Sequence, residues 1–185
     1  MKLWTIQPKE VLEIVERKGV FYNSKERSDN WADFKNAYLW MVEEMTKRNI
    51  LAPENCDLPL WAWHTTDWHH DCPDFEYMNY SNNGNQVCLE VEVPDEEVLL
   101  SDYDTWHYVL NNMYFEDSKT EEEWEKFRAE FELLDSDSKR RVTIKSWQKV
   151  FNTRAEKTEW YSVGRNIQAT FWKLKKDYIV KVINF

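Results

Sequence analysis

The spacing of hydrophobic positions changes several times along this chain, and each change marks an element. Leu3, Trp4 and Ile6 form a short apolar, β-prone run, which predicts a first strand. Pro8 stands where a helix accepts a first-turn proline. Val11, Leu12 and Val15 then recur at helical spacing until Arg17-Lys18-Gly19 stops the pattern. Val20 to Tyr22 is a short extended piece, and Asn23 to Asn30 is a polar loop. Trp31, Phe34, Tyr38, Met41, Val42 and Met45 predict a second helix, capped by Asn30 and ending near Arg48-Asn49. After the connector Leu51 to Pro59, the stretch Leu60 to Thr66 reads as a strand. Asp67 to Gln86 has no clear period and reads as a long ordered loop, a kind of segment that often carries function. Val87, Leu89, Val91 and Val93 alternate with Cys88, Glu90 and Glu92. That is a half-buried strand with its carboxylates on the solvent face.

In the second half, Val98-Leu99-Leu100 is a short buried segment. A helix follows from Tyr103, capped by Asp102, with Trp106, Val109, Leu110 and Met113 directed inward. Thr120-Glu121-Glu122-Glu123 opens another as a capping box, with Trp124, Phe127, Phe131 and Leu134 as its stripe. Ser138 to Phe151 forms a third, with Ile144, Trp147 and Phe151 on one face. Two strands close the chain, Ile167 to Leu174 and Tyr178 to Phe185, joined tightly through Lys175-Lys176-Asp177. With strands at the start, middle and end and no repeat or linker, the expected fold is α+β. It is one domain over residues 1–185, with about five helices and a mixed or antiparallel sheet built from distant strands.

Composition narrows the function classes. The formal net charge of −10 disfavours generic nucleic-acid binding, because an acidic protein repels phosphate backbones. The three cysteines are odd in number and widely spaced, which argues against a disulfide framework and for a reducing compartment. The first residues lack the apolar core of a signal peptide, and no run reaches the ~18 apolar residues of a membrane span. The expected location is cytoplasmic, without membrane contact. Aromatic residues make up 16% of the chain, including 11 Trp, more than a core of this size needs. Some of these rings are expected to line a cleft or a partner surface.

Three stretches are distinctive together: Leu3-Trp4-Thr5-Ile6-Gln7, the long run from Pro94 through Ser101-Asp102-Tyr103-Asp104-Thr105-Trp106-His107 to Asn111, and Ile167-Gln168-Ala169-Thr170-Phe171-Trp172. With Leu60-Trp61-Ala62-Trp63-His64 they resemble the domain-of-unknown-function 3841 family of bacterial and mobile-element proteins, over nearly the whole chain. That resemblance implies a small stand-alone cytoplasmic domain and no assigned activity. A fainter resemblance is to the ADP-ribosyltransferase superfamily, which also opens on a strand running into a helix that ends in Gly. It implies a cleft for NAD. The superfamily's first-strand His or Arg is replaced here by Thr5 and Gln7, and its late-strand Glu by Gln168, which lacks the charge to stabilise an oxocarbenium ion.

Several residues are candidates for chemistry. Trp61 and Trp63 share a strand face and suit stacking on a base or nicotinamide. Asp102, Asp104 and His107 sit at a strand-to-helix junction, where they suit acid–base work or a ribose hydroxyl. Gln168 and Trp172 share a strand face, and the amide suits a nucleobase. The candidate catalytic residues are therefore His107, Asp102 and Gln168, and the candidate ligand-binding residues are Gln7, Trp61, Trp63, His64, Asp104 and Trp172. Convergence of Gln7, His64, His107 and Gln168 on one pocket is expected, with Trp4, Trp63, Trp106 and Trp172 mostly buried at its floor. The histidine-rich run from Trp61 to Cys72 matches no standard ligand spacing, so no metal is expected. Gly19, Gly84 and Gly164 are the only glycines, too few for a phosphate-cradling loop. The first functional expectation is a nucleotide-handling domain with NAD as its cofactor and, if catalytic, ADP-ribosyl transfer or glycosidic cleavage. The alternative is a non-enzymatic acidic interaction protein, such as a partner inhibitor or nucleic-acid mimic.

Overall fold

The computed structural model describes residues 1–27, 31–54, 56–76, 78, 84–157 and 162–185. Alternation along the first strand, β1 (Lys2–Pro8), sends Leu3 to one apolar cluster and Trp4 and Ile6 to another. β1 pairs with β3 (Leu60–Thr65) on one side and β4 (Gln86–Glu92) on the other. Beyond β3 lie β8 (Ile167–Phe171) and then β5 (Leu99–Asp102), and beyond β4 lies β10 (Ile179–Ile183). The resulting six-stranded sheet has the order β10-β4-β1-β3-β8-β5, and every pairing in it is antiparallel. Two small ribbons complete the β structure, β2 (Val20–Tyr22) with β9 (Lys173–Lys175) and β6 (Glu156–Lys157) with β7 (Ser162–Val163).

Five α-helices are present among the described residues: α1 (Lys9–Lys18), α2 (Trp31–Lys47), α3 (Tyr103–Leu110), α4 (Glu121–Glu132) and α5 (Ser136–Ser146). One sheet face is sealed by α1 and the β2–β9 ribbon. There Val11, Val15, Phe21 and Leu174 pack on Leu3, Leu89, Val91 and Phe171. Burying each such side chain contributes about 1.5–3 kcal/mol, so this layer holds the sheet together. The opposite face is covered in two unequal parts. α2, α3 and a 3₁₀ turn at Trp147–Phe151 cover the β8–β5 side through Trp40, Met41, Trp106, Val109 and Trp147. The loop after β3 and the chain's last residues cover the β1–β4 side, where Cys72, Phe75 and Phe185 pack on Trp4, Trp63 and Cys88. The Phe75 and Phe185 rings stack with centroids 4.0 Å apart.

The α+β class and the antiparallel sheet of distant strands agree with the sequence reading, and four elements differ in detail. The last two strands are not neighbours: β8 pairs with β3 and β5, whereas β10 lies at the far edge against β4. The chain leaves β8, pairs Lys173–Lys175 with Val20–Tyr22, and only then reaches β10. Met113 is 54% exposed rather than inward, because α3 stops at Leu110 and Asn112 turns the backbone at φ 53°. The helix expected from Ser138 starts at Ser136, where the Asp135 carboxylate accepts from Ser138 N–H at 2.9 Å. The face of β4 read as solvent-exposed is covered at Cys88, which the loop after β3 buries completely. The expected cap Asn30 lies outside the described residues.

Gly19 and Gly164 both have positive φ, near 80°, yet they differ in surroundings. A Cβ on Gly19 meets nothing within 4 Å, whereas one on Gly164 falls 2.7 Å from the Ala155 Cα. Gly19→Ala is expected to cost about 1–2 kcal/mol for the left-handed backbone alone. Gly164→Ala adds a backbone clash and should cost about 3 kcal/mol or more. Paired urea melts of the two variants check the difference; equal losses would mean that the chain yields freely around Ala155.

Candidate functional site

The unequal covering of the second sheet face leaves an open cleft. Its volume is about 420 Å³, within the roughly 300–1,000 Å³ usual for small-molecule sites. The floor comes from the sheet: Trp4 and Ile6 of β1, Trp61 and Trp63 of β3, and Gln168 of β8. The wall comes from Phe34 and Tyr38 of α2 and from Tyr103, Trp106, His107 and Leu110 of α3. Pairing register explains the floor. Trp4 lies opposite Trp63, Trp63 opposite Gln168, and Gln168 opposite Ser101. Paired residues of antiparallel strands project to the same face, so these four side chains form one row across β1, β3, β8 and β5.

Ring contacts fix the aromatic groups. Trp61 meets Trp106 at 5.2 Å between centroids, and Tyr38 lies 6.2 Å from Trp61 and 6.4 Å from Trp106. Trp63 meets Tyr103 edge-on at 4.9 Å, and Tyr103 meets His107 edge-on at 4.7 Å. α2 departs from helical geometry at the cleft-lining Phe34 (φ −115°, ψ 20°). Burial pushes the Tyr38 and Tyr103 hydroxyls above their ordinary range, so both stay neutral. No Asp, Glu, Lys or Arg among the described residues lines the cleft.

Two N–H groups in this floor have no partner among the described residues, Trp4 Nε1 and Gln168 Nε2. Trp4 is 3% and Gln168 6% exposed. A buried donor left unpaired costs about 1–3 kcal/mol, and native structures seldom tolerate it without a reason. His107 sits exposed at the mouth, its Nδ1 2.9 Å from the Tyr103 carbonyl oxygen. Only a protonated Nδ1 can donate to that carbonyl, so the neutral ring turns Nε2 outward as an acceptor.

The structure brings together His107, Gln168, Trp61 and Trp63 from the candidate set and keeps the other five apart. Asp102 is fully buried outside the cleft. Its carboxylate accepts from Thr105 N–H and from Gly164 N–H, each at 2.7 Å, and burial is the main force raising its pKa. This carboxylate caps α3 and pins the turn before β8. Asp104 is exposed and accepts from Asn166 Nδ2 at 3.3 Å. Gln7 projects to the α1 side of the sheet, where its Nε2 donates to Thr5 Oγ1 at 2.7 Å. His64 is the extra residue of a bulge between Trp63 and Thr65, and its ring lies 4.2 Å from that of His70. Trp172 is buried on the far side of α2, its Nε1 donating to Ile50 O at 2.9 Å. The expected convergence of Gln7, His64, His107 and Gln168 thus reduces to His107 and Gln168. The four tryptophans expected at the floor are all buried, and three of them, Trp4, Trp63 and Trp106, line the cleft.

Sequence reasoning passed over Phe34 and Tyr38 as ordinary core positions of α2. Their helical spacing gave no sign that β3 would present tryptophans to that same stripe. Beyond the cleft, burial pushes the Cys88 thiol up to about 12, with Cys72 beside it. Cys88 therefore stays a protonated core residue rather than a nucleophile.

A model of the family described as Domain of unknown function (DUF3841) matches residues 2–180. The chain belongs to this family. Neither the curated proteins nor the solved structures hold a significant match to it, and the ADP-ribosyltransferase likeness finds no support there. No helix among the described residues is long and apolar enough to cross a membrane.

Asp102→Asn is expected to lower stability by about 2–3 kcal/mol, since an amide N–H₂ would face one of the two backbone donors. Urea melts of parent and variant check this; an unchanged midpoint would mean that the two backbone bonds contribute nothing to the fold. His64 gives a pH signature. Burial first, then His70 and the N-terminal ammonium, hold its pKa below the ordinary 6.5. The unfolded chain therefore binds this proton more readily. Stability is fully present above pH 6.5 and is lost as pH falls from there toward the depressed value. Melting temperatures at pH 7.5 and 5.5 should drop less for His64→Gln than for the parent, and equal drops would count against this assignment.

Proposed function

We propose that this chain is a nucleotide-recognition module that stacks a planar base in the aromatic cleft. The observation that carries the reading is the buried Gln168 amide N–H, unpartnered and set among tryptophans. An apolar cleft with a few convergent polar groups is the common form of a small-ligand site. Base-on-aromatic stacking contributes about 1–3 kcal/mol per base. Trp61 and Trp63 offer rings from the floor, Tyr38, Tyr103 and Trp106 offer rings from the wall, and Gln168 supplies direction. His107 at the mouth suits a sugar hydroxyl or a base N–H.

The geometry supports recognition better than ADP-ribosyl transfer or glycosidic cleavage. Those reactions pass through an oxocarbenium-like state that a carboxylate normally stabilises. The described cleft presents none, Asp102 is committed to two backbone bonds, and Gln168 carries no charge.

Titration with a panel of nucleosides, nucleotides and NAD should quench the intrinsic tryptophan fluorescence and raise the melting temperature by several degrees for at least one member. His107→Phe should weaken that member's binding at least fivefold while the unliganded melting temperature moves by no more than about two degrees. Silence from the whole panel at millimolar concentration would remove this reading.

A further inference from the structure

We infer that the cleft is selective for an uncharged, oxo-bearing base of the uracil or hypoxanthine type, taken by its ring while any phosphate stays outside. The inference rests on the base-stacking reading and adds to it the identity of the edge that is read.

Four described buried side-chain atoms have no hydrogen-bond partner: Trp4 Nε1, Gln168 Nε2, Ser101 Oγ and Thr105 Oγ1. Three of them lie on the single cross-strand row Trp4–Trp63–Gln168–Ser101. The fourth, Thr105 Oγ1, lies in the first turn of α3, where the Thr105 N–H donates to Asp102. The two row atoms whose residues line the cleft are both N–H groups. An indole N–H can only donate; the Gln168 amide also carries an acceptor oxygen, but it is its N–H₂ that is buried without a partner and asks for an acceptor. Between them in the register stands Trp63, which also lines the cleft and, with Trp61, brings aromatic surface to the floor. The floor therefore combines one stacking surface with donors on either side of it.

This donor set decides among ligand classes. Aromatic cages commonly hold ammonium cations, but here a cation would face two N–H dipoles, with no carboxylate along the described lining to balance it. Phosphate in the cleft would be a buried anion without a Lys or Arg along the same lining, a placement that costs several kcal/mol. A neutral ring carrying carbonyl oxygens would supply the acceptors that these buried donors lack. A ring carrying amino groups in the same places leaves both of these N–H groups unpaired. His107 Nε2, turned outward as an acceptor by the Nδ1 bond to Tyr103, suits the imide N–H of such a base or a sugar hydroxyl next to it.

The test compares pairs that differ by one exocyclic group. Uridine against cytidine and inosine against adenosine each exchange an oxo acceptor for an amino donor. Isothermal titration of the intact chain should show the oxo member bound about tenfold more tightly, in whichever pair the cleft admits. Adding a 5′-phosphate should change the affinity less than about threefold. Gln168→Glu, which replaces the amide donor by an acceptor at nearly constant shape, should reverse the preference toward the amino member. Gln168→Leu should abolish the preference while the aromatic walls still bind weakly. Melting curves establish that both variants are folded. If one fails to fold, the parent's own oxo/amino ratio decides. An oxo preference above threefold supports the inference. A smaller or reversed preference, or a large gain from phosphate, overturns it and leaves base stacking intact. Binding of none of the four nucleosides at millimolar concentration overturns the inference and the base-stacking reading together.

Discussion

The Asp102 carboxylate accepts one bond from Thr105 N–H in the first turn of α3 and one from Gly164 N–H ahead of β8, with no solvent contact. Next to it, Tyr103 N–H donates to Asn166 O at 2.8 Å. These bonds tie the start of the cleft's wall to the strand that brings Gln168 to its floor. Desolvation works against the charge, but two charge-assisted bonds to backbone donors hold it in place. Because both donors are backbone groups, these bonds link α3 to the turn before β8 in addition to the β5–β8 ladder. Trp106 and His107 thus keep a constant offset from Gln168. Elsewhere the wall rests on ring contacts, which tolerate small slides. This carboxylate sets the origin from which those slides are limited.

Much of the scaffold could be read from residue patterns because the patterns answer to local rules. The first strand and helix, the stripe of α2 and the Asp102 and Thr120 caps all follow from spacing and capping chemistry. Pairing between distant strands follows no such rule. Gln168 and Trp63 are opposite one another because β8 inserts between β3 and β5, and nothing within either segment specifies that. The same limit explains the misplaced final hairpin. Some of the candidate site was legible in principle. Strand alternation alone sends Gln7 to the face opposite Trp4, which already separates it from the floor. His64 was harder, because the bulge that removes it from regular alternation depends on the register of β3 against β8.

The two faces of the sheet divide labour in a way that composition anticipates. Aliphatic side chains dominate the α1 side, where packing needs shape without direction. The clusters on the other side hold six buried tryptophans, against none on the α1 side, and each buried indole N–H asks for a partner. Trp147 and Trp172 satisfy that need with the carbonyls of Met113 and Ile50, and they lie in closed packing. Trp4 does not, and it lies in the open cleft. Of these three indoles, all nearly inaccessible to solvent, the one that lines the cleft is the one without a partner.

The strand order has a consequence for biosynthesis. β1 leaves the ribosome before every other strand of the sheet but is a central one, whereas β8 and β10 are made after all the rest. During translation the tryptophan-bearing face of β1 and β3 therefore waits, uncovered on one flank, until residues near 170 emerge. Such long-range closure is slow compared with helix formation and leaves sticky intermediates. The yield of folded protein should depend on how fast the segment carrying β8 is translated.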